Sequence, residues 1–217
     1  VRAHIVWDWN GTLLNDNHAV LAGVNSICRS FSRDEIDLDY WRSVFSRPLK
    51  ACYEQLLGRT LSDEEWSGTD ALYHGSYNEL LPTCALAEDA EQVLRDWQSA
   101  GNSQSLLSMW FHEPLTEMVT RLELVQYFSQ VDGLRGTVGG GSKAKYLSEH
   151  LVRTGMDPAS VVLIGDVVDD AFAAESVGAR CVLVTTGMTS HQKLADTGHP
   201  VADSLAAAVR LIEDRAS

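Results

Sequence analysis

Residues 5–14, Ile-Val-Trp-Asp-Trp-Asn-Gly-Thr-Leu-Leu, constrain this chain more than any other stretch. A short apolar run ends at Asp8, the chain turns at Asn10-Gly11, and Thr12 follows. Two structures satisfy that pattern. Asn-Gly between apolar residues is a strong signal for a two-residue β-hairpin. Alternatively, the run is a buried strand, and Asp8 is a carboxylate at its tip, placed to attack an electrophile or to hold a metal ion. The second structure needs partners from elsewhere, so the remaining sequence weighs between them.

Residues 3–7 read as a buried strand, and residues 15–82 read as helical throughout, without a strand. Val20, Val24, Ile27 or Cys28, and Phe31 recur at helical spacing, and Tyr40, Trp41, Val44 and Phe45 mark a second helical face. Pro48 is suited to open a third helix. Ser62-Asp63-Glu64-Glu65 is a capping-box pattern that starts a helix running toward Leu80, ahead of Pro82.

The character then changes. Residues 87–100 read as a helix stopped by Gly101, and 104–107 as a short strand ending at Ser108. Helices are predicted over 114–128 and over 142–154, the latter entered from Gly139-Gly140-Gly141. A strand over 161–164 ends at Gly165-Asp166, a helix over 171–177 stops at Gly178, a strand covers 180–184, and a last helix covers 204–215. Strands alternating with helices predict an α/β fold, a parallel sheet with helices on both faces. Continuous apolar strands suit burial on both sides. The helical block interrupts this alternation, so residues 1–14 and 83–217 are expected to form the core and 15–82 an inserted helical cap.

Of the 217 residues, 30 are Asp or Glu and 17 are Lys or Arg, for a net charge of -13. That balance argues against nucleic acid or an anionic membrane as partner, since both require clustered cations. Cys28, Cys52, Cys84 and Cys181 form neither a CxxC pair nor a zinc spacing. Reduced thiols in a cytoplasmic setting are the expectation. His4 and Asp8 interrupt what would be a signal-peptide core, and no apolar run approaches membrane-spanning length. Asn10-Gly11-Thr12 matches a glycosylation sequon, which is taken as chance. Oligomeric state is not legible.

Ligands of open parallel sheets bind beyond the carboxyl ends of the strands. Asp8, Asn10, Ser108, Asp166 and Asp170 stand at those predicted ends, and Lys143 begins a helix. Asp8 and Asp166 are hard oxygen ligands suited to Mg²⁺. Three nearby carboxylates repel, and one takes a proton unless cations intervene. A divalent ion with Lys143 resolves that conflict and attracts an anionic substrate. Ser108 can donate a hydrogen bond to a phosphoryl oxygen.

These motifs resemble those of the haloacid dehalogenase superfamily, close to its phosphoglycolate-phosphatase-like branch. Asp8-Trp9-Asn10-Gly11-Thr12 matches the first motif, Asp-x-Asp-Gly-Thr, with one departure, and Ser108 in Leu-Leu-Ser-Met matches the second. Lys143 matches the third, ahead of Lys145, and Gly165, Asp166 and Asp170 match the fourth. The resemblance implies a Rossmann-like core with a cap that closes over the cleft. It implies a Mg²⁺-dependent phosphatase acting on a small phosphorylated metabolite. Asp8 would form an aspartyl-phosphate, and Mg²⁺ would be held by Asp8, the Asn10 carbonyl and Asp166, with Asp170 beside it. Thr12, Ser108 and Lys143 would bind the phosphoryl group.

Asn10 replaces the Asp that serves as general acid and base in the family's phosphatases. Positioned proton transfer contributes on the order of 10²- to 10⁴-fold. Three readings follow. The protein is a phosphatase for good leaving groups or one that recruits another acid, with His112 as a candidate. It is a weakly active family member that binds a phosphorylated ligand or a partner. Or it does non-phosphoryl chemistry such as dehalogenation, which the Asp166 and Asp170 pair disfavours. Asn-Gly also deamidates, so an aged sample is expected to regain Asp at position 10.

Other residues have plainer expectations. Asp169 is expected to cap or begin a helix, and Glu175 to be solvated. Alternation places Trp7 and Trp9 opposite Asp8, in the core. Trp41, Phe45, Tyr53 and Trp66 are expected mostly in the cap core, Trp110 near the cleft, and Arg47 at the surface or reaching an anionic substrate. Gly139-Gly140-Gly141 reads as a loop before the Lys143 helix.

Overall fold

A computed structural model describes residues 3–135 and 142–214. Its centre is a six-stranded sheet whose neighbouring strands all pair in parallel. In chain order the strands are β1 (His4–Trp7), β4 (Ser103–Phe111), β5 (Val131–Leu134), β6 (Val161–Gly165), β7 (Arg180–Val184) and β8 (Val201–Ala202). Their spatial order is β5-β4-β1-β6-β7-β8, which puts β1 in the middle. The chain crosses from the β5–β4 side to the β6–β7 side beside β1, and that switch point is where a parallel sheet opens a crevice.

Successive residues of β1 face opposite sides. Ile5 and Trp7 join one apolar cluster together with Trp9, and Val6 joins the other. The first cluster packs the sheet against α5 (Ala90–Ser99), α10 (Leu205–Glu213) and the helices that follow β1. The second packs it against α7 (Lys143–Thr154) and α8 (Val168–Val177). Helices therefore cover both faces, as the strand–helix alternation predicts. Trp7 and Trp9 are fully buried on the side opposite Val6, in the core.

Four helices fill the stretch between β1 and α5: α1 (Asn17–Ser30), α2 (Leu38–Val44), α3 (Leu49–Leu57) and α4 (Asp63–Leu80). Ser62 and Glu65 form the expected reciprocal capping box at the start of α4. A single 3₁₀ turn, Leu81–Thr83, ends that helix at Pro82. The stretch is not wholly helical. β2 (Leu14–Asn15) pairs antiparallel with β3 (Ala85–Leu86), so the chain leaves and re-enters the core side by side. Two-residue strands carry too little pattern to be read from sequence.

Two more predicted elements need correction. β4 does not end at Ser108 but runs to Phe111, with its register against β5 shifting between Leu107 and Phe111. The helix expected over 114–128 is α6 (His112–Arg121), followed by Glu123 at φ 57 and a 3₁₀ turn, Val125–Tyr127. Asp132 and Gly133 interrupt the apolar run that would have marked β5. A five-residue helix, α9 (His191–Ala195), and β8 were not anticipated. Gly139-Gly140-Gly141 lies outside the described residues.

Asn10-Gly11 does not form the two-residue hairpin. The Leu14 N–H donates to the Trp9 carbonyl (2.8 Å) and the Gly11 N–H to the Leu14 carbonyl (3.0 Å), closing a tight loop at the end of β1. Gly11 has φ +72, a left-handed conformation that favours glycine. A β-carbon there would also lie 2.7 Å from Asp166 Oδ2.

Candidate active site

The carboxyl ends of β1 and β6, the last residues of β4 and the first turns of α7 and α8 converge on one cavity. Asp8, Asn10, Ser108, Lys143, Asp166 and Asp170 all line it. Ligand oxygens of Asp8, Asp166 and Asp170 lie within 4.8 Å of one another, and all three residues are buried. The β1–β6 pairing explains part of this, because Trp7 sits beside Ile164 and the Asp8 N–H donates to the Ile164 carbonyl (2.8 Å). Asp8 and Asp166 thus extend from adjacent strand ends.

Lys143 is the buried cation of the cluster. Its Nζ lies 2.5 Å from both Asp8 Oδ1 and Asp170 Oδ1. Lys145 points to solvent near Glu149. Ser142 caps α7, and Asp169 accepts hydrogen bonds from the Lys143 N–H (2.9 Å) and the Ser142 hydroxyl (3.2 Å). Asp169, in the first turn of α8, therefore ties the start of α7 to α8. Glu175 is exposed and accepts from His199.

The charges do not balance. Burial pushes the Asp8 carboxyl up to about 6, with Lys143 pulling it down and Asp170 pushing it up. Burial also raises Asp166 well above the carboxylate range, reinforced by Asp8 and Asp170 and opposed by the Met188 N–H. For Lys143 burial works against the charged form, but Asp170 and Asp8 outweigh it and raise the ammonium pKa. Three carboxylates face one ammonium, so the cluster lacks positive charge.

The donor set fits a hard divalent cation. All three side chains offer oxygen, the ligand type Mg²⁺ prefers. Glycines make room for them. A β-carbon at Gly187 would fall 1.9 Å from Asp166 Oδ2, and one at Gly165 would fall 2.1 Å from Asp170 Oδ2. Asp166 is oriented by the Met188 N–H (2.7 Å) and, at 3.4 Å, by the Thr12 hydroxyl. Asp170 is held by the Val167 N–H (3.1 Å). Thr12 is fully buried and does not line the cavity, so its hydroxyl faces Asp166 where the sequence suggested the substrate.

Ser108 is buried. Its hydroxyl accepts from the Trp110 N–H (3.0 Å) and faces Asn10 Oδ1 at 3.4 Å. The register shift in β4 turns this segment toward the cavity, so Ser108, Met109 and Trp110 all line it. His112 is not among the lining residues. Its ring nitrogens meet the Gly133 N–H (3.3 Å) and Arg135 (2.7 Å), so both are engaged outside the cavity lining.

Asn10 is held from two sides. Its Nδ2 donates to Asp16 Oδ2 and to the Tyr77 hydroxyl, both at 2.9 Å. Tyr77 also donates to Asp16 Oδ2 (2.8 Å), and the Gly11 N–H donates to Asp16 Oδ1 (3.0 Å). Burial raises the Asp16 carboxyl, while these donors pull it back. Asp16 and Tyr77 were not singled out from the sequence. An Asp shortly after a turn and a Tyr in α4 carry no local mark of a shared site.

Further contacts fasten the helices to the core. Arg42 of α2 donates to the Gly187 carbonyl (2.8 Å), and Lys193 of α9 donates to the Phe45 carbonyl (2.9 Å). Trp41, Phe45, Tyr53 and Trp66 pack together as expected, and each also lines the cavity. Arg47 is exposed and belongs to the cavity lining. All four cysteines are buried and free. Among the described residues, no helix is long and apolar enough to cross a membrane.

The sequence profile of the family described as "Haloacid dehalogenase-like hydrolase" matches residues 5–184. A phosphoglycolate phosphatase from Synechococcus elongatus is 27% identical over 193 residues, covering 88% of this chain and 87% of the relative. One from Caulobacter vibrioides is 24% identical over 191 residues, covering 86% and 81%. Among solved structures, a predicted phosphatase from Clostridium acetobutylicum aligns with a TM-score of 0.81 at 16% identity, covering 98% of this chain and 99% of that one. A haloacid dehalogenase-like hydrolase from Streptococcus pneumoniae gives 0.80 at 17% identity, covering 98% and 97%. At such identities the structural likeness shows the fold.

Proposed function

The chain belongs to the haloacid dehalogenase-like hydrolases, and from that premise we propose that it hydrolyses phosphate monoesters with Asp8 as nucleophile and Mg²⁺ as cofactor. One observation carries this reading: three buried carboxylates with ligand atoms within 4.8 Å, two of them paired with a single buried lysine, face one cavity. The phosphatases among its relatives support the same reaction class.

An Asp8 carboxylate oxygen attacks phosphorus, and the bond to the ester oxygen breaks with its electron pair leaving on that oxygen. The departing alkoxide takes a proton from water, because the Asn10 amide is too weak an acid to supply one. A water then attacks the aspartyl-phosphate, releasing inorganic phosphate and regenerating the carboxylate, and its proton passes to solvent. Asp8, Asp166 and Asp170, with the Asn10 carbonyl, would hold Mg²⁺. When bound, that ion supplies positive charge against the phosphoryl oxygens. Lys143 and Ser108 stabilise the transferring group by charge and hydrogen bonding. Thr12 and the Met188 N–H orient Asp166, Gly165 and Gly187 leave room for the carboxylates, and Asp169 fixes the start of the Lys143 helix.

A second reading has its own support. Asn10 is locked by Asp16 and Tyr77, which suits a slow enzyme that chiefly binds a phosphorylated ligand. Turnover of a panel of phosphate esters, with Mg²⁺ and with chelator, tests the first reading. Ordinary enzyme rates that require Mg²⁺ and vanish in Asp8→Asn uphold it. Binding of the esters without turnover favours the second. Turnover of a haloacid without metal overturns both.

A further inference from the structure

Beyond the carboxylate cluster, the cavity wall is aromatic. Trp41, Phe45, Tyr53, Trp66, Tyr73 and Tyr77 line it from α2, α3, α4 and the end of α2. The rings form two stacked groups. Trp41 stacks on Tyr53 at 5.6 Å, and Tyr53 meets Trp66 at 6.0 Å. Tyr73 stacks on Tyr77 at 5.8 Å. Phe45, Trp66 and Tyr73 are only partly buried, so ring surface remains available. The Trp41 indole N–H is buried and has no acceptor among the described residues.

Charge tells against a small polyanionic substrate. Lys143 is already shared between Asp8 and Asp170. The other basic groups of the lining are Arg47, which is exposed, and His74, which faces Asp70 at 3.6 Å. Asp16 and Asp70 add negative charge to the same lining. A carboxylate on the substrate, in addition to its phosphoryl group, would find no further buried cation among the described lining residues.

We propose that the substrate is a phosphate monoester whose alcohol portion carries an aromatic ring or an apolar group of similar size. The proposal rests on the phosphatase reading and names its substrate class. The phosphoryl group lies at Asp8 and Lys143, and the ring lies among the cap aromatics. The cavity holds about 230 Å³, and an apolar cavity on the order of 150 Å³ already accepts benzene. Offset-stacked and edge-on ring contacts favour such a guest. A hydrogen-bond acceptor on the alcohol portion can take the Trp41 N–H.

The test compares 2-phenylethyl phosphate, ethyl phosphate and phosphoglycolate on the native protein with Mg²⁺. The first two share an alkyl-type leaving oxygen, so the ring is what distinguishes them. The expected kcat/KM for 2-phenylethyl phosphate is at least about tenfold above each of the others, through KM, as burial of a ring supplies. Trp66→Ala should raise KM for 2-phenylethyl phosphate about tenfold and leave ethyl phosphate within about twofold. Preference for phosphoglycolate, or equal KM changes for both alkyl esters, overturns the proposal. Should no ester turn over, the phosphatase reading falls, and calorimetric binding of the same three esters to the native protein decides the substrate class. Tenfold tighter binding of 2-phenylethyl phosphate upholds it, and equal affinities overturn it.

Discussion

Replacing Asn10 by Asp restores an acid to the position where the family's phosphatases keep one, and the surroundings dictate how that acid behaves. The Asn10 amide nitrogen lies 2.9 Å from Asp16 Oδ2, which is fully buried. In Asn10→Asp two carboxyls take up that separation. At an effective dielectric near 20, two full charges so close repel by roughly 6 kcal/mol. Such repulsion keeps one proton on the pair at neutral pH. The variant therefore carries a protonated carboxyl beside the nucleophile, ready to donate to a departing alkoxide. General acid catalysis of this kind contributes about 10²- to 10⁴-fold. We expect kcat to rise by that order for alkyl phosphates with Mg²⁺ present, and by far less for p-nitrophenyl phosphate, whose leaving group needs little protonation. The gain should fade at high pH, where the pair loses its shared proton. Asp16→Asn in the Asn10→Asp background removes the repulsion and should shift that pH limb downward. Steady-state rates across pH for the two esters measure all of this. Equal gains for both esters, or none for either, would refute the argument, since it assigns Asn10 the loss of proton donation alone. Peptide mass spectrometry should accompany the native measurements, because Asn10-Gly11 deamidation yields Asp together with isoaspartate.

Lys143→Met leaves the buried Asp8 and Asp170 carboxylates without their cation, and denaturant unfolding without metal should show a loss of about 3–5 kcal/mol; Mg²⁺ should recover part of it. Gly187→Ala places a methyl 1.9 Å from Asp166 Oδ2, and calorimetry should show Mg²⁺ affinity falling on the order of 10-fold or more, as for disturbed metal ligands. Without metal, Asp8 sits above its unfolded value of 3.8 at about 6, so the folded state binds its proton more tightly and stability should fall as pH rises through that interval. Saturating Mg²⁺ should remove that fall in thermal melts. His4 behaves oppositely: burial, with the His150 charge, lowers it from 6.5 to about 4. Its stability contribution is present above 6.5 and is lost as pH falls toward 4, and His4→Gln should flatten that limb of the melting profile.

The His4 environment shows why side-chain types alone mislead. Asp132, His150 and Ser105 stand in line, with His150 at 2.6 Å from Asp132 and 2.7 Å from Ser105. That order imitates a nucleophilic triad, yet Ser105 and His150 are 0% exposed and His4 closes the far side at 2.8 Å. No substrate reaches Ser105. The network joins β1, β4, β5 and α7 by satisfying buried polar groups.

The strand–helix alternation and the apolar runs of β1, β6 and β7 were legible in the sequence, because burial on both faces of a parallel sheet demands them. Asp8, Lys143, Asp166 and Asp170 were legible too, since each follows a strand end or begins a helix. Residues whose roles arise only from distant contact were not. Asp16 meets Tyr77 of α4 from 61 residues away, Gly187 is required by Asp166, and the reach of β4 to Phe111 depends on pairing with β5. The sequence by itself determined the fold class and the charged groups available for chemistry, because periodicity and strand termini are local properties. The tertiary structure alone decided that Asn10 is locked by Asp16 and Tyr77 and that aromatic rings from α2, α3 and α4 line the same cavity as the carboxylates. The physical reason is that hydrogen bonds and burial depend on which segments meet, and that meeting is written in no single stretch of chain.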